Sequence, residues 1–196
     1  SMNALGLKGQ FRGPIFSAFT RDTPARLRRQ DYFIAMVEVE VGFLIGEDIG
    51  GDPYPPARDE LIRAIAAAIP CIEIADSRFA NFAQCPPAAV LADLAFAGAW
   101  VRGTEVLDWR ATDLRALQVR LLSSGTEVRS GIGARAMGDP LDALSAMVED
   151  LGRSGEKLKA GQVVSTGTYT PPYPVKAGAM LVADFGSLGQ VAVAFE

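Results

Sequence analysis

The sequence contains no histidine, and only two of its 196 residues are cysteine. Without histidine the chain cannot form a Ser-His-Asp or Cys-His nucleophile system, or a zinc site with a histidine ligand. Cys71 and Cys85 are too few for a disulfide framework, and we expect both thiols to be reduced. Any chemistry must therefore depend on carboxylates, lysine, tyrosine, hydroxyl groups or a metal ion.

Clustered positive charge and long apolar runs are missing as well. The net charge is −4 and the isoelectric point is near 5.0, with arginines scattered along the chain, so we expect no nucleic-acid partner. No apolar stretch has the length needed to cross a bilayer, and the first residues lack a signal-peptide pattern. We therefore expect a cytoplasmic protein with no membrane partner. A composition of 49% hydrophobic and 21% charged residues favours one globular domain over residues 1–196.

The most informative stretch is the apolar run 33–45, which carries Glu38 and Glu40 in its middle. Its alternate apolar residues predict a strand with one buried face, and they are Phe33, Val37, Val39, Val41, Phe43 and Ile45. The two glutamates then share the other face, roughly 6.6 Å apart at about 3.3 Å per residue, where both can bind one hard divalent cation. The alternative is an exposed edge strand with two solvated glutamates, because Glu-x-Glu is common in sheets. The motif alone does not separate the two interpretations.

A third carboxylate interrupts the next predicted strand. Residues 58–69 have apolar side chains at helical spacing, which predicts a helix that ends before Pro70. Residues 71–75 then alternate as a short strand, in which Glu73 faces away from its isoleucine neighbours. The sequence thus places a carboxylate inside two successive apolar strands.

The remaining pattern mixes helices and strands without regular alternation. Residues 3–30 contain glycine and proline turn signals, which predict an irregular opening. Helices are expected at 86–97 and 140–151, the second capped by Asp139. Strands are expected at 117–123, 162–166, 180–185 and 190–195. This order is typical of an α+β roll rather than of a doubly wound sheet.

Six motifs follow one another along most of the chain. They are Glu38-Val-Glu-Val-Gly-Phe43, Ile72-Glu-Ile-Ala-Asp-Ser-Arg78, Gly138-Asp-Pro-Leu-Asp-Ala143, Leu158-Lys-Ala-Gly-Gln-Val-Val-Ser-Thr-Gly167, Val175-Lys-Ala-Gly178 and Leu188-Gly-Gln-Val191. In this order they resemble the family of 2-oxo-4-pentenoate hydratases and 4-oxalocrotonate decarboxylases, within the fumarylacetoacetate hydrolase superfamily. The resemblance implies an α+β fold, a mixed β-roll of the fumarylacetoacetate hydrolase C-terminal-domain type with a few packed helices.

The resemblance also implies a set of site residues and a cofactor, Mg²⁺ or Mn²⁺. The candidate residues are Glu38, Glu40 and Glu73 for the metal, Asp76 and Arg78 for catalysis, and Thr166 and Gly167 for substrate binding. Structural roles stay open for the last four. An Asp-Ser-Arg turn can equally support a metal site, and Thr-Gly at a strand end is common in turns.

The family's chemistry is implied in the same way. A divalent cation held by carboxylates is a Lewis acid that stabilises the enolate of a 2-oxo acid. The implied function is a lyase, a hydratase or a decarboxylase, that acts on small unsaturated 2-oxo acids from aromatic-compound catabolism. We also expect a homo-oligomer. Hydrolytic C–C cleavage is less favoured, because that branch of the superfamily uses a histidine base.

Three departures from the family pattern concern the substrate rather than the metal. The family usually has a further amino-terminal segment with a Gly-Tyr-Lys-like motif, and we expect this chain to lack it. Ser17 and Ala18 stand where the family has acidic residues, and Leu94-Ala95 stands where it has Asn-Ser. These departures leave open a non-catalytic, metal-binding relative with a structural or partner-binding role.

Overall fold

The structure, a computed structural model, describes residues 12–51 and 55–196. Its helices in these ranges are α1 (Arg58–Ala64), α2 (Pro87–Ala92) and α3 (Pro140–Arg153). Its strands are β1 (Thr20–Asp22), β2 (Ala25–Leu27), β3 (Met36–Ile45), β4 (Ile65–Ala75), β5 (Ala97–Arg102), β6 (Gln118–Ser123), β7 (Thr126–Ile132), β8 (Val163–Thr168), β9 (Tyr173–Pro174), β10 (Met180–Asp184) and β11 (Gln190–Phe195). Strands with a few helices confirm the expected α+β class.

The strands form two sheets. The first sheet has the order β1-β5-β4-β3-β8, and β9 also pairs with β3. The second sheet has the order β2-β11-β10-β6-β7. Most neighbours are antiparallel, but β1 pairs with β5 in parallel, and β2 pairs with β11 in parallel. The two longest strands, β3 and β4, therefore lie inside the first sheet.

One cluster of buried apolar side chains draws on both sheets. From the first sheet it includes Val37, Val39 and Val41, which alternate along β3, and from the second sheet Val191 and Val193 of β11. Side chains of α3 belong to the same cluster. This core cluster covers only one face of the first sheet.

That other face carries the three glutamates predicted to bind metal and a second, smaller apolar cluster. Ile69, Cys71 and Trp100 are buried in this cluster, with Leu44 and Val163 packed against them. Both faces of the first sheet are thus covered at its centre, and β3 and β4 read as nearly continuous apolar runs.

Strand β3 confirms the strand prediction from residue 36 onward but not before it. Phe33 was expected on the buried face, yet it lies outside the strand and is 72% exposed. Ala35, with a φ of 47°, turns the chain immediately before β3 begins. The exposed-edge alternative is wrong, because β3 lies between β4 and β8.

The predicted helix 58–69 is wrong in its second half. Helix α1 ends at Ala64, and β4 runs from Ile65 through Pro70 to Ala75. Because β4 is buried on both faces, its sequence lacks the alternation of a half-buried strand and resembles a buried helix. Pairing with β3 along its length overrides the helical propensity of its alanines.

Two other predictions need correction. Within residues 12–30 the opening is not wholly irregular, since β1 and β2 each form an edge strand of one sheet; residues 3–11 of that prediction lie outside the described ranges. The helix predicted at 86–97 is shorter, because α2 ends at Ala92. A turn of 3-10 helix over Leu94–Phe96 follows, in which all three residues have positive φ.

The later elements are confirmed. Asp139 caps α3, with its Oδ1 accepting a hydrogen bond from the Leu141 N–H at 2.9 Å. The strands predicted at 117–123, 162–166, 180–185 and 190–195 correspond to β6, β8, β10 and β11. Within the described ranges, no helix combines the length and the apolar character that crossing a membrane requires.

Candidate metal centre

Glu38, Glu40 and Glu73 lie together on one face of the first sheet. In the antiparallel pairing of β3 with β4, Glu38 is directly opposite Glu73, and Glu40 is opposite Cys71. Each glutamate offers a carboxylate oxygen, and these oxygens all lie within 4.8 Å of one another. The structure therefore brings together the three carboxylates that the sequence analysis singled out.

Burial and mutual repulsion make the three carboxylates difficult to ionise together. Burial first and the charge of Glu40 second raise the pKa of Glu38 from 4.5 to about 7. Burial, followed by the charges of Glu40 and Glu38, raises the pKa of Glu73 well above its usual range. Burial also raises the pKa of Glu40. A divalent cation among them would remove this repulsion and favour the charged forms.

Glu40 is the most firmly oriented of the three. It is only 2% exposed, and its Oε2 accepts a hydrogen bond from the Ser165 hydroxyl. The backbone N–H of Gly167 also donates to its carboxylate. Both contacts lower the pKa of Glu40 and offset part of the effect of burial. Because both donors belong to β8, this strand sets the direction of the carboxylate.

The donor atoms fit a hard cation. Carboxylate oxygens suit Mg²⁺ and Mn²⁺, whereas thiolates favour softer metals. Cys71 lies nearby, but its Sγ donates a hydrogen bond to the backbone carbonyl of Glu40 at 3.3 Å. Burial raises the pKa of Cys71 well above its usual range, which keeps the thiol protonated. The cluster therefore offers oxygen ligands to a metal.

Asp76 follows β4 and holds the turn that leads into β3. Its Oδ1 accepts hydrogen bonds from the N–H groups of Ile34 at 2.6 Å and Ala35 at 3.1 Å. Its Oδ2 accepts a third from the N–H of Phe33 at 3.1 Å. These contacts fix the entry of β3 and so the position of Glu38. The catalytic role expected for Asp76 stays a prediction.

Arg78 is paired with Asp93, which follows α2. An Arg78 guanidinium N–H donates to Asp93 Oδ1 at 2.9 Å, and the Arg78 backbone N–H donates to Asp93 Oδ2 at 3.1 Å. A second guanidinium nitrogen donates to the carbonyl of Ala97 at 2.8 Å. The pair ties the end of β4 to the turn Leu94–Phe96. The catalytic role expected for Arg78 also stays a prediction.

Thr166 and Gly167 lie where the pairing of β8 with β3 is irregular. Thr166 is buried, and its hydroxyl donates to the carbonyl of Val41 at 2.7 Å. Gly167 has a φ of 105°, and a Cβ built there would meet nothing within 4 Å. Its backbone therefore borders open space beside Glu40. Substrate binding by Thr166 and Gly167 stays a prediction.

Comparison with known proteins identifies the family. The model of the fumarylacetoacetate (FAA) hydrolase C-terminal family matches residues 12–195. The chain belongs to this family. Membership confirms the resemblance of the six motifs and the expected β-roll.

Two relatives of this FAA hydrolase family member are named as hydratases. The TodF product hydratase of Pseudomonas putida is 31% identical over 191 residues, which cover 97% of this chain and 70% of the relative. The 2-keto-4-pentenoate hydratase of Paraburkholderia xenovorans is 31% identical over 160 residues, which cover 82% of this chain and 58% of the relative. The chain thus spans only part of the length of each.

A solved structure is similar over the whole chain. The 4-oxalocrotonate decarboxylase from Pseudomonas putida G7, complexed with magnesium and adipate, matches with a TM-score of 0.91 at 26% identity. The match covers 100% of this chain and 73% of the decarboxylase. The two sheets therefore adopt the same arrangement in this FAA hydrolase family member and in a metal-bound relative.

Sequence reasoning missed two residues of the site. Ser165, which binds Glu40, precedes the two β8 residues that were predicted to contact substrate. A serine inside a predicted strand shows that a polar partner is needed, but it does not show which residue that partner is. Asp93, which holds Arg78, gave no comparable signal, because its partner lies 15 residues earlier in the chain.

Proposed function

We propose that this chain is a Mg²⁺- or Mn²⁺-dependent lyase, a hydratase or decarboxylase for small unsaturated 2-oxo acids from aromatic-compound catabolism. The observation that carries the proposal is the convergence of Glu38, Glu40 and Glu73, whose oxygens lie within 4.8 Å of one another. The names of the two hydratase relatives and of the similar decarboxylase support the reaction class. The magnesium named for the decarboxylase supports the cofactor.

A bound divalent cation would supply a Lewis acid that stabilises negative charge on the 2-oxo oxygen of the substrate. The chain's own contribution is a fixed set of ligands. Glu38 and Glu73 are directly opposite neighbours on the paired strands β3 and β4, and their side chains lie on the same face of the sheet. Ser165 orients Glu40. Carboxylates placed on paired strands hold their positions more accurately than carboxylates on loops. Their burial also excludes water, which strengthens every electrostatic interaction at the site.

The other candidate residues have defined places in this proposal. Asp76 and Arg78 remain candidates for contact with the substrate, but their hydrogen bonds favour positioning roles just after the end of β4. Gly167 offers a bare backbone beside Glu40, where a substrate can approach closely. Thr166 supports β3 through its bond to the Val41 carbonyl.

We further propose a single catalytic-type domain over residues 1–196, located in the cytoplasm and assembled as a homo-oligomer. The core cluster shared by both sheets supports one domain. The free thiols of Cys71 and Cys85 support a reducing compartment. Exposed apolar side chains such as Phe33 and Met180 support an oligomer, since subunit contacts commonly bury such residues.

Turnover assays test the proposal directly. With Mg²⁺ or Mn²⁺ the protein should convert 2-hydroxypenta-2,4-dienoate or 4-oxalocrotonate, seen as a loss of ultraviolet absorbance, and EDTA should stop the reaction. Glu73→Gln should lower turnover by about 100-fold or more, because it removes one carboxylate of the cluster. Glu47→Gln is the matched control, since Glu47 is an exposed glutamate just beyond β3.

Two results would count against the enzyme. Turnover that is insensitive to EDTA and to Glu73→Gln would contradict a role for the carboxylate cluster. Metal-dependent binding of oxalate without turnover of either substrate would instead favour the non-catalytic, metal-binding relative.

A further inference from the structure

Residues 77–96 leave the first sheet after β4 and return to it at the start of β5. We call them the β4–β5 segment. Its buried apolar side chains, Val90 and Phe96, form a small cluster with Phe82 and Cys85 that is separate from the main core. A segment that depends on a small cluster of its own opens more readily than strands inside a sheet. The contacts that hold this segment closed therefore deserve a separate account.

The β4–β5 segment ends in a turn with an unfavourable backbone conformation. Leu94, Ala95 and Phe96 are consecutive residues in the left-handed region, with φ values of 55°, 55° and 70°. In this region the Cβ of an L-residue lies too close to the following carbonyl oxygen, which costs free energy at each residue. A left-handed turn of three such residues persists only where surrounding contacts hold it.

Arg78 holds both ends of this left-handed turn. Its guanidinium donates to the carbonyl of Asp93 at 3.1 Å and to the carbonyl of Ala97 at 2.8 Å, the residues just before and just after the turn. The guanidinium also donates to Asp93 Oδ1 at 2.9 Å, and the side chain of Asp93 is only 5% exposed. Charge-assisted hydrogen bonds of this kind are stronger than neutral ones. We call the pair of Arg78 and Asp93 the latch.

The turn is connected to the metal centre through Asp76. The carbonyl of Phe96 accepts a hydrogen bond from the Asp76 N–H at 2.7 Å. Beside this contact a Cβ built on Gly98 would lie 2.9 Å from the Asp76 Cβ, so the start of β5 lies directly against Asp76. The carboxylate of Asp76 in turn accepts the N–H groups of residues 33–35, just before Glu38. A continuous series of contacts thus runs from the latch to a candidate metal ligand.

Backbone strain is concentrated around Asp76. Among the described residues, six residues other than glycine have a positive φ. Four of these six are the three residues of the turn and Ala35, whose N–H donates to the Asp76 carboxylate. Strain of this kind is commonly found at functional sites, where the surrounding structure holds it in place. Release of the left-handed turn would remove the Phe96 contact of Asp76 and loosen the entry of β3.

We propose that the β4–β5 segment opens locally while both sheets stay folded, and that only its closed state, held by the latch, places Glu38 to bind the cation. The inference rests on the proposed function, since it takes the carboxylate cluster as the cation site. Arg78 and Asp93 are then positioning residues, which act on Glu38 through the turn and Asp76. Because a ligand that binds only the closed state stabilises that state, the cation in turn keeps the segment closed.

Hydrogen exchange measured by mass spectrometry tests this coupling in the wild type, with and without Mn²⁺. At a Mn²⁺ concentration about ten times the Kd, amide exchange in the β4–β5 segment should slow about tenfold, although none of its residues belongs to the carboxylate cluster. The turn between β6 and β7 is the internal control, because it lies in the other sheet, and its exchange should change by less than about twofold. Mn²⁺ binding that leaves exchange in the β4–β5 segment unchanged would overturn the inference alone.

Arg78→Lys tests the latch. Lysine keeps the charge, but a single ammonium group does not reproduce the fork with which Arg78 bonds Asp93 and Ala97. With the sheets folded by circular dichroism, the variant should bind Mn²⁺ about tenfold more weakly in calorimetry, and its β4–β5 segment should exchange faster. Wild-type Mn²⁺ affinity in the folded variant would overturn the inference. The exchange measurement on the wild type decides independently of whether this variant folds.

Relief of the backbone strain should rescue the latch variant. Ala95→Gly added to Arg78→Lys should restore Mn²⁺ affinity by about threefold or more, because glycine adopts a φ of 55° without a steric penalty. Ala88→Gly is the matched control, because Ala88 is an exposed residue of α2, where glycine is unfavourable, and it should restore nothing. Equal effects of the two glycine substitutions would overturn the inference. Failure of the wild type to bind Mn²⁺ would overturn the proposed function and this inference with it.

Discussion

At the scale of single residues, the main feature of the site is that three carboxylates are buried together, which disfavours their charged forms. Glu38, Glu40 and Glu73 are held close together, and their pKa values are raised by burial and, for Glu38 and Glu73, by the charge of Glu40 as well. Strained electrostatics of this kind commonly mark functional sites. The hydroxyl of Ser165 and the N–H of Gly167 reduce this effect only for Glu40. A cation is the group that would remove it for all three.

The raised pKa values predict how the stability of the metal-free protein depends on pH. A raised pKa means that the folded chain holds the proton more tightly than the unfolded chain does. For Glu38 this stabilisation is complete below the ordinary value of 4.5 and is lost as pH rises through about 7. In EDTA the midpoint of thermal unfolding should therefore fall between about pH 5 and pH 8.

The double variant Glu38→Gln with Glu40→Gln isolates this effect. In this variant the midpoint of thermal unfolding should fall much less between about pH 5 and pH 8, because glutamine does not titrate. Effects of pH on other groups of the protein should persist. With Mg²⁺ the wild type should show the opposite trend, since metal binding requires deprotonated carboxylates. Parallel pH profiles of the wild type and the double variant in EDTA would refute the electrostatic account.

The sequence was sufficient to predict the glutamates but not their partners. Glu38, Glu40 and Glu73 stand out because carboxylates are rare inside apolar strands. Ser165 contacts Glu40 across 125 residues of chain, so no local pattern connects the two. No local pattern connects Asp93 with Arg78 either, because only the fold brings these two residues together.

At the scale of elements, the turn before β3 determines where Glu38 lies. Asp76, at the end of β4, accepts three backbone hydrogen bonds from residues 33–35. Asp76 is itself buried, so none of these bonds is replaced by water if the carboxylate is lost. These three hydrogen bonds thus connect the end of β4 to the start of β3, the two strands that carry the glutamates.

Asp76→Asn should therefore destabilise the protein by about 1–3 kcal/mol, because the amide group places a donor against backbone donors. Urea unfolding measures the change. The control is Asp31→Asn, whose exposed carboxylate pairs with Arg28 at the surface, and it should change stability by less than about 0.5 kcal/mol. An Asp76→Asn protein with wild-type stability and no turnover would argue for direct catalysis instead of positioning.

The elements also show where sequence patterns mislead. Residues 65–69 continue the apolar spacing of α1, and their alanines favour a helix, yet they form β4. The deciding interaction is their pairing with β3, which is distant in sequence. In contrast, Asp139 and Pro140 begin α3 through local contacts, and the prediction was correct there.

At the scale of the whole molecule, the site depends on strands from separate parts of the chain. Its candidate ligands come from β3 and β4, and the donors that orient Glu40 come from β8. The class of fold could be predicted from the mixture of elements. The order of strands could not, because β1 and β2 have three residues each and pair in parallel with distant strands.

The central claim is that Glu38, Glu40 and Glu73 bind one divalent cation. Calorimetric titration with Mn²⁺ tests it most directly, in the wild type, in Glu38→Gln with Glu40→Gln, and in Glu47→Gln as a surface control. We expect one Mn²⁺ per chain in the wild type and in the control. The double variant should remain folded by circular dichroism and bind Mn²⁺ about 100-fold more weakly or not at all. Equal Mn²⁺ binding by the wild type and the folded double variant would contradict the claim.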